Sequence, residues 1–425
     1  MKIVWLTDTP LSLTKEEKGY NGRGWIESEL ELLKDEKSVT IKIIYNTAKR
    51  TKGKQISSNI HDQPSNSKLS FKIKFFNALF RWFGIYESNE DTKRLKNIIE
   101  DFEPDLIHLF GTEWYGLNII KKTNIPIVVH LQGISVSCYN AFLSPGFSNF
   151  NLLISGLKKP LSFFKANSFF FYRKRFQSMA NREIINLPYI KYYLGRTDWD
   201  KSISRLFSPN SQYFHLDEIL REPFYLSKKW EWKACSTIKI ISTISDSTYK
   251  GLDLIYKCAS ILSSISNIPI HWNVCGIEPN SESVKLFKKH LRIHKGSNVC
   301  VEMQGIVGCE KLIDLLQDSY MYIHPSYIDN SPNSVCEAQY IGVPVIATDV
   351  GGVSSIVKKD ITGILVPAND PYLLAAKIID LFQDKEKAIL ISNNAISHAM
   401  ARHDKTAIKQ SLLKLYEYVY NNNHF

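Results

Sequence analysis

The sequence predicts an α/β protein of two doubly wound domains, and three features carry that reading. Short apolar runs rich in β-branched residues alternate with helical stretches, this alternation occurs twice, and 425 residues leave room for two ordinary domains. In the first series the expected strands are Ile3 to Leu6, Thr40 to Tyr45, Leu106 to Leu109, Ile127 to Leu131 and Ile190 to Leu194. In the second they are Ile238 to Ile244, His271 to Cys275, Val299 to Met303, Tyr320 to His324 and Val343 to Ala347. Runs without a polar face belong in parallel sheets covered by helices on both sides.

The division between the halves is expected between Leu220 and Cys235, where REPFYLSKKWEWKACST shows neither helical nor strand periodicity. This gives a first domain over 1–225 and a second over 226–404. Within Lys405 to Asn421, Ile408, Leu412, Leu415, Tyr416 and Val419 fall on one helical face. Such a helix, after the second domain, can cross back to the first over 405–425.

Hydrophobic residues at 44% and charged residues at 22% are the balance of a soluble globular protein. The 53 basic and 42 acidic side chains leave a net charge of +11, which favours an anionic partner: nucleotide phosphate, an anionic lipid surface or nucleic acid. Seven cysteines, with no C-x-x-C pair and no metal-ligand spacing, point to a reducing compartment. Asp8 interrupts the first apolar run, so the N-terminus reads as a strand, and no apolar stretch approaches the roughly 20 residues that span a bilayer. A cytoplasmic protein is expected, touching membrane only peripherally.

The chemistry concentrates in YIDNSPNSVCEAQYIGVPVIATDVGG, Tyr327 to Gly352. Asp329 falls in the loop after an apolar strand, and Glu337 lies eight residues on, inside a helix starting near Pro332, so both can face one crevice beside that helix's first turn. Carboxylates accept hydrogen bonds from vicinal hydroxyls, while free amides of a helix start attract a diphosphate. Taken singly, Asp329 also suits a turn or cap and Glu337 a helix surface. Lys250, in DSTYKGLDL, is placed at the first turn of a helix with apolar face Leu252, Ile255, Ala259 and Leu262, an unfavourable position for a cation unless something anionic offsets it. Gly22 and Gly24, in YNGRGW, would let backbone approach a phosphate, though such a pair also occurs in ordinary turns. His130 ends a strand in VVHLQG, and Glu113 follows another in HLFGTEW; both stand where ligands meet parallel sheets. His108 and His324 read as structural.

These segments, in this order and across nearly the whole chain, resemble glycosyltransferase family 4, retaining sugar-nucleotide transferases of the GT-B fold. The similarity is closest from YKGLDL through MQG and HPSYIDNSPNSVCEAQYIGVPVIATDVGG to GILVPANDP, and looser through GRGW, PDLIHLFGTE, HLQG and GRTDWDKSISRLFSPNSQYFHLDEILREPFY. It implies two Rossmann-like domains facing across a cleft, the first binding the acceptor and the second the donor. The family's paired glutamates correspond to Asp329, near the donor sugar, and Glu337, on the ribose. Its phosphate-binding lysine corresponds to Lys250, and its arginine five residues earlier is Ser245 here, so one fixed charge is missing; Arg196 and Lys201 are candidates to substitute, and the sequence does not choose a replacement. Gly305 of MQG is a further donor-side position. Pro332 stands where many members have glycine and has no N–H, which leaves Asn333 and Ser334 as backbone donors. His130 corresponds to a histidine close to donor sugar and acceptor, and Glu113 and Arg196 are candidates on the acceptor side.

The resemblance implies transfer of a sugar from a UDP- or GDP-sugar to a hydroxyl of a glycan or lipid-linked glycan in bacterial surface polysaccharide synthesis. Lys250 and helix amides would stabilise the departing diphosphate, with no cofactor and no metal required. Alternatives are a GT-B epimerase or phosphorylase, or a non-catalytic nucleic-acid-binding protein; no RNA-binding motif interleaves the basic residues, so nucleic acid is not the expected partner. Two basic aromatic stretches, Lys68 to Gly84 and Lys158 to Phe176, either lean on an anionic membrane at the inner face of the plasma membrane or bury their aromatics in amphipathic helices.

Overall fold

The computed structural model describes residues 1–8, 24–46, 53, 55–65, 81–84, 86, 89–158, 160–291 and 298–424. Two sheets organise them. The first contains β1 (Lys2–Thr7), β2 (Thr40–Tyr45), β3 (Gln55–Ser57), β4 (Ile60–Pro64), β5 (Leu106–Phe110), β6 (Ile127–His130), β7 (Tyr192–Gly195) and β8 (Gln212–His215), in the order β3-β4-β2-β1-β5-β6-β7-β8. Neighbours run parallel except β3, which lies antiparallel on β4. The second contains β9 (Ile238–Thr243), β10 (Ile270–Cys275), β11 (Val299–Gly305), β12 (Met321–His324), β13 (Val345–Thr348) and β14 (Ile364–Val366), all parallel in the order β11-β10-β9-β12-β13-β14.

Strands β3, β4, β8 and β14 fall outside the expected set. All lie at or next to a sheet edge, where burial on both faces is not required and no long apolar run is needed. β4 (IHDQP) and β8 (QYFH) are accordingly polar, and β14 is only three residues long.

Strand order reverses between β1 and β5 and between β9 and β12. At such a point successive connections leave in opposite directions, which opens a crevice at the carboxyl ends of the strands. The sheets hold these ends still by burying both faces. In β1, Ile3 and Trp5 face one core layer while Val4 and Leu6 face the other. The layer under Ile3 is completed by Trp25, Ile26 and Leu30 of the helix Gly24–Leu33, and by the closing helix Lys405–His424. That helix buries Ile408, Leu412, Leu415, Tyr416 and Val419 in the first domain's core, so the chain's end packs on its beginning. From the segment joining the sheets, Leu220, Phe224 and Trp230 pack into the core of the second.

The second basic aromatic stretch differs from the membrane-facing expectation. Phe169, Phe171 and Phe176, on the helix Phe169–Asn186, are buried against Phe142, Leu152, Phe163 and Trp82, so they hold the first domain's helices together and do not meet lipid. Exposed large apolar side chains stand on the preceding helices Asn149–Leu157 and Pro160–Phe164, among them Phe150, Leu157, Leu161 and Phe164, while Ile184 and Ile185 are exposed near the end of the helix Phe169–Asn186 and Phe83 is exposed in the first stretch. Of the first stretch only residues 81–84 are among those described. No described helix is long and apolar enough to cross a membrane.

Leu412 is fully buried between the closing helix and the first sheet. Leu412→Ala should therefore cost about 2–5 kcal/mol of folding stability in urea denaturation. A loss within about 0.5 kcal/mol, usual for surface positions, would show that the helix is not integral to that core.

Candidate active site

A cleft of about 350 Å³ lies at the reversal point of the second sheet and is closed from above by the first domain. The second domain contributes Thr243 at the end of β9 with Ile244 and Ser245 after it, then Lys250, His324 at the end of β12, Asp329, Ser331 to Ser334 and Glu337. The first contributes Gly24, Trp25, Gln132, Arg196 and the connecting Arg221.

Lys250 and Asp329 form the centre of the cleft. Lys250 Nζ is 2.6 Å from Asp329 Oδ2, and His324 Nε2 lies 3.1 Å from the same oxygen without hydrogen-bond alignment. Burial alone would push the Asp329 carboxyl up, but Lys250 and His324 together hold it well below the usual carboxylate range. Two glycines bring the pair together. Gly251, at φ +80°, would place a Cβ 2.0 Å from the Pro325 carbonyl oxygen, and Gly351, at φ +54°, one 2.0 Å from the Asp329 carbonyl oxygen. Any side chain there would push apart the two loops that carry the charges. Lys250 belongs to a 3₁₀ turn, Thr248–Lys250, that ends just before the helix Leu252–Ile265, rather than to its first turn. The anion its position called for is supplied internally by Asp329.

The second pair, Arg221 and Glu337, was not foreseen. Arg221 Nε and Nη2 are each 2.8 Å from Glu337 Oε1, leaving Oε2 outside the pair. Burial pushes the Glu337 carboxyl up, and Arg221 draws it back. Gly24 explains how the arginine arrives: a Cβ there would stand 2.7 Å from Arg221 Cγ and Cδ. The helix Asn333–Ile341 starts at the cleft without a side-chain cap, so the Asn333 and Ser334 amides, among the first four of the helix, have no intrahelical acceptor. Arg196 is buried and stacks on Trp25, its guanidinium carbon 3.9 Å from the ring centroid, and its Nε and Nη2 have no hydrogen-bond partner.

The remaining anticipated residues are placed as follows. Ser245 lines the cleft. Lys201 lies instead over the Tyr213 ring, 5.8 Å from its centroid. Gly305 ends β11 at φ +68° and accepts the Gly276 amide at 2.7 Å; Gly276, not Gly305, lines the cleft. Gly22 falls outside the described residues. His130 lies beneath the surface, 1% exposed, with its ring centroid 5.1 Å from that of Trp25. Glu113 borders an adjoining cavity of about 220 Å³ that shares Gln132, Lys250 and Asp329 with the cleft, and also a cavity of about 600 Å³ bounded by Arg81, Tyr86, Tyr172 and Arg175. His324, which reads as structural in the sequence, lines the cleft; like His130 it ends a parallel strand, where ligands meet such sheets. Arg221 lies in a segment whose lack of periodicity marks a domain boundary and carries no signal of a site.

Residues 232–398 match the family model for glycosyl transferases group 1. The chain is 27% identical over 146 residues to D-inositol 3-phosphate glycosyltransferase of Corynebacterium efficiens, covering 34% of each chain, so it spans about a third of that relative. It is 25% identical over 341 residues to N,N'-diacetylbacillosaminyl-diphospho-undecaprenol alpha-1,3-N-acetylgalactosaminyltransferase of Campylobacter jejuni, covering 78% of this chain and 80% of that one. The fold is that of sucrose-phosphate synthase from Thermosynechococcus elongatus, with a TM-score of 0.71 at 14% identity over 99% of this chain and 100% of the other.

Burial, with Glu183 and Asp8 nearby, pushes the Glu113 carboxyl up from 4.5 to about 7. The folded protein therefore binds this proton more tightly than the unfolded chain, so the stability it contributes is complete below pH 4.5 and is lost as pH rises towards 7. Glu113→Gln should flatten the decline of Tm across that window; a slope equal to that of the native protein would contradict the assignment.

Proposed function

We propose, on the premise that this chain is a GT-B glycosyltransferase of group 1, that it transfers a sugar with retention from a nucleoside diphosphate donor to a hydroxyl of a glycan or lipid-linked glycan. The observation that carries this reading is the convergence in one cleft of a helix start, Lys250, an Arg196 whose Nε and Nη2 have no hydrogen-bond partner, and two carboxylates. The diphosphate sits against the Asn333 and Ser334 amides, where helix dipole and free N–H groups favour negative charge. Lys250 turns from Asp329 to a phosphoryl oxygen, and Arg196 gains the partner it lacks, replacing the charge absent at Ser245. Positive groups aimed at the leaving oxygen stabilise the bond-breaking transition state, an effect generally worth several kcal/mol. No metal or cofactor enters this scheme.

Asp329, released from Lys250, accepts hydrogen bonds from the sugar hydroxyls. Glu337, steered by Arg221 through Oε1, offers Oε2 to the ribose. The acceptor approaches through the cavities bordered by Glu113, which link the cleft to the first domain. A family 4 assignment, a UDP or GDP donor and a place in surface polysaccharide synthesis belong to this proposal; the undecaprenol diphosphate in the Campylobacter relative's name supports a lipid-linked acceptor.

A thermal-shift panel of UDP, GDP and ADP tests the donor side. One base should raise Tm, since a ligand at 100 times its Kd adds about 2.7 kcal/mol to the native state. Glu337→Ala should weaken the response to every nucleotide, whereas Asp329→Ala should chiefly erase differences between nucleotide sugars. No response from the native protein to any nucleotide would refute the reading.

A peripheral membrane contact belongs to the same proposal, through a different surface from the buried phenylalanines. Leu161 and Phe164 are 77% and 69% exposed, Phe150 and Leu157 are exposed beside them in sequence, and Lys158 lies against Lys289 of the helix Glu282–His290, two ammonium groups in one spot. Apolar side chains beside lysines suit an anionic lipid surface. In flotation the native protein should rise with phosphatidylglycerol vesicles and not with phosphatidylcholine, and Leu161→Ser with Phe164→Ser should remove the binding. Undiminished flotation of that variant would end the idea.

A further inference from the structure

Beneath the cleft, four buried side chains form one hydrogen-bonded line. Trp5 Nε1 donates to Tyr416 Oη at 3.1 Å, Tyr416 Oη lies 2.7 Å from His108 Nδ1, and His108 Nε2 lies 3.1 Å from His130 Nδ1. The line begins on β1 and ends at the last residue of β6, passing through the closing helix.

Donor and acceptor rules give the line a direction. An indole nitrogen only donates, so the Tyr416 oxygen accepts from Trp5. The hydroxyl has one proton of its own, and among the described residues its hydrogen-bonding neighbour able to accept is His108 Nδ1. His108 then carries its proton on Nε2 and donates to His130 Nδ1, which leaves the His130 proton on Nε2. The opposite direction would bury the Tyr416 hydroxyl without an acceptor, at the full desolvation cost of an unmade bond. His130 Nε2 is buried and has no partner, beside Trp25 and Arg196, which line the cleft. Both imidazoles are neutral, since burial holds each below its ordinary range.

Glu29 also faces this line. Its carboxyl oxygen and the two imidazole nitrogens lie within 4.8 Å of one another, a spacing that could suggest a metal site. Both His108 nitrogens are engaged, however, and the Arg196 charge acts on both Glu29 and His130, which opposes a cation there.

We propose that Tyr416, acting through His108, keeps His130 Nδ1 an acceptor and its proton on Nε2, so that His130, buried behind the cleft-lining Trp25, can act towards a substrate only as a hydrogen-bond donor. Tyr416 is thus a positioning residue: the closing helix sets the donor character of a group beside the cleft. This rests on the transferase reading and adds a residue that no cleft contact would single out.

The test is nitrogen-15 spectroscopy of the histidine rings in the full chain, with the His130 signal identified by its loss in His130→Gln. Native protein should show His130 protonated at Nε2 and unprotonated at Nδ1 throughout about pH 6 to 8, the range in which a free imidazole titrates. Tyr416→Phe should move population to the Nδ1–H form and lower kcat about tenfold with the donor KM unchanged. A native ring protonated at Nδ1 would overturn the proposal whether or not that variant folds. A folded Tyr416→Phe with native tautomer and native kcat would overturn the positioning role. The ring spectrum requires no turnover, so failure of the transferase reading would appear separately, as absence of transfer by the native protein.

Discussion

A lysine held 2.6 Å from an aspartate in a narrow cleft makes a stable neutral pair, and the rest of the site is arranged around it. At an effective dielectric of about 20, opposite charges about 4 Å apart attract by roughly 4 kcal/mol before desolvation is counted. Lys250 will leave Asp329 only for something that offers more. A diphosphate would, since it carries greater charge and could be held at the same time by the first amides of the helix Asn333–Ile341. On the proposed reading, the pair acts as an internal substitute for the ligand, protecting two partly buried charges until a donor separates them.

The two domains are fastened beside that pair, which fixes the shape of the cleft. Asn330, next to Asp329, accepts from Thr197 Oγ1 at 2.6 Å and donates to Asp200 at 2.9 Å, both from the first domain. Glu218 accepts from Ser331 Oγ and Cys336 Sγ, each at 2.8 Å, with Arg402 3.5 Å away. Burial would raise Glu218, but Arg402, Arg196 and His403 hold it far below the ordinary range, so it remains an acceptor. The loop and helix start that the proposal assigns to the donor are thus anchored from across the domain boundary. The closing helix adds a third tie through Tyr416.

The parallel sheets were legible because strands buried on both faces leave continuous apolar runs, whereas edge strands such as IHDQP and QYFH leave none. Asp329, Glu337 and Lys250 could be located because loop and helix positions place them at strand ends. Their partners could not. Arg221 is 116 residues from Glu337, and only folding brings Lys250 and Asp329, 79 residues apart, into contact. Nor could the burial of Phe169 and Phe171 be read from a stretch whose lysines and phenylalanines fit a lipid surface equally well. Long-range pairing decides these cases, and local pattern does not record it.

A crystal structure of the protein with its preferred nucleoside diphosphate examines the central claim most directly. The account predicts phosphoryl oxygens within hydrogen-bonding distance of Lys250 Nζ and of the Asn333 or Ser334 amide, with Lys250 drawn away from Asp329. A nucleotide bound elsewhere, or one in this cleft with Lys250 still clasping Asp329 and the helix amides unengaged, would contradict it.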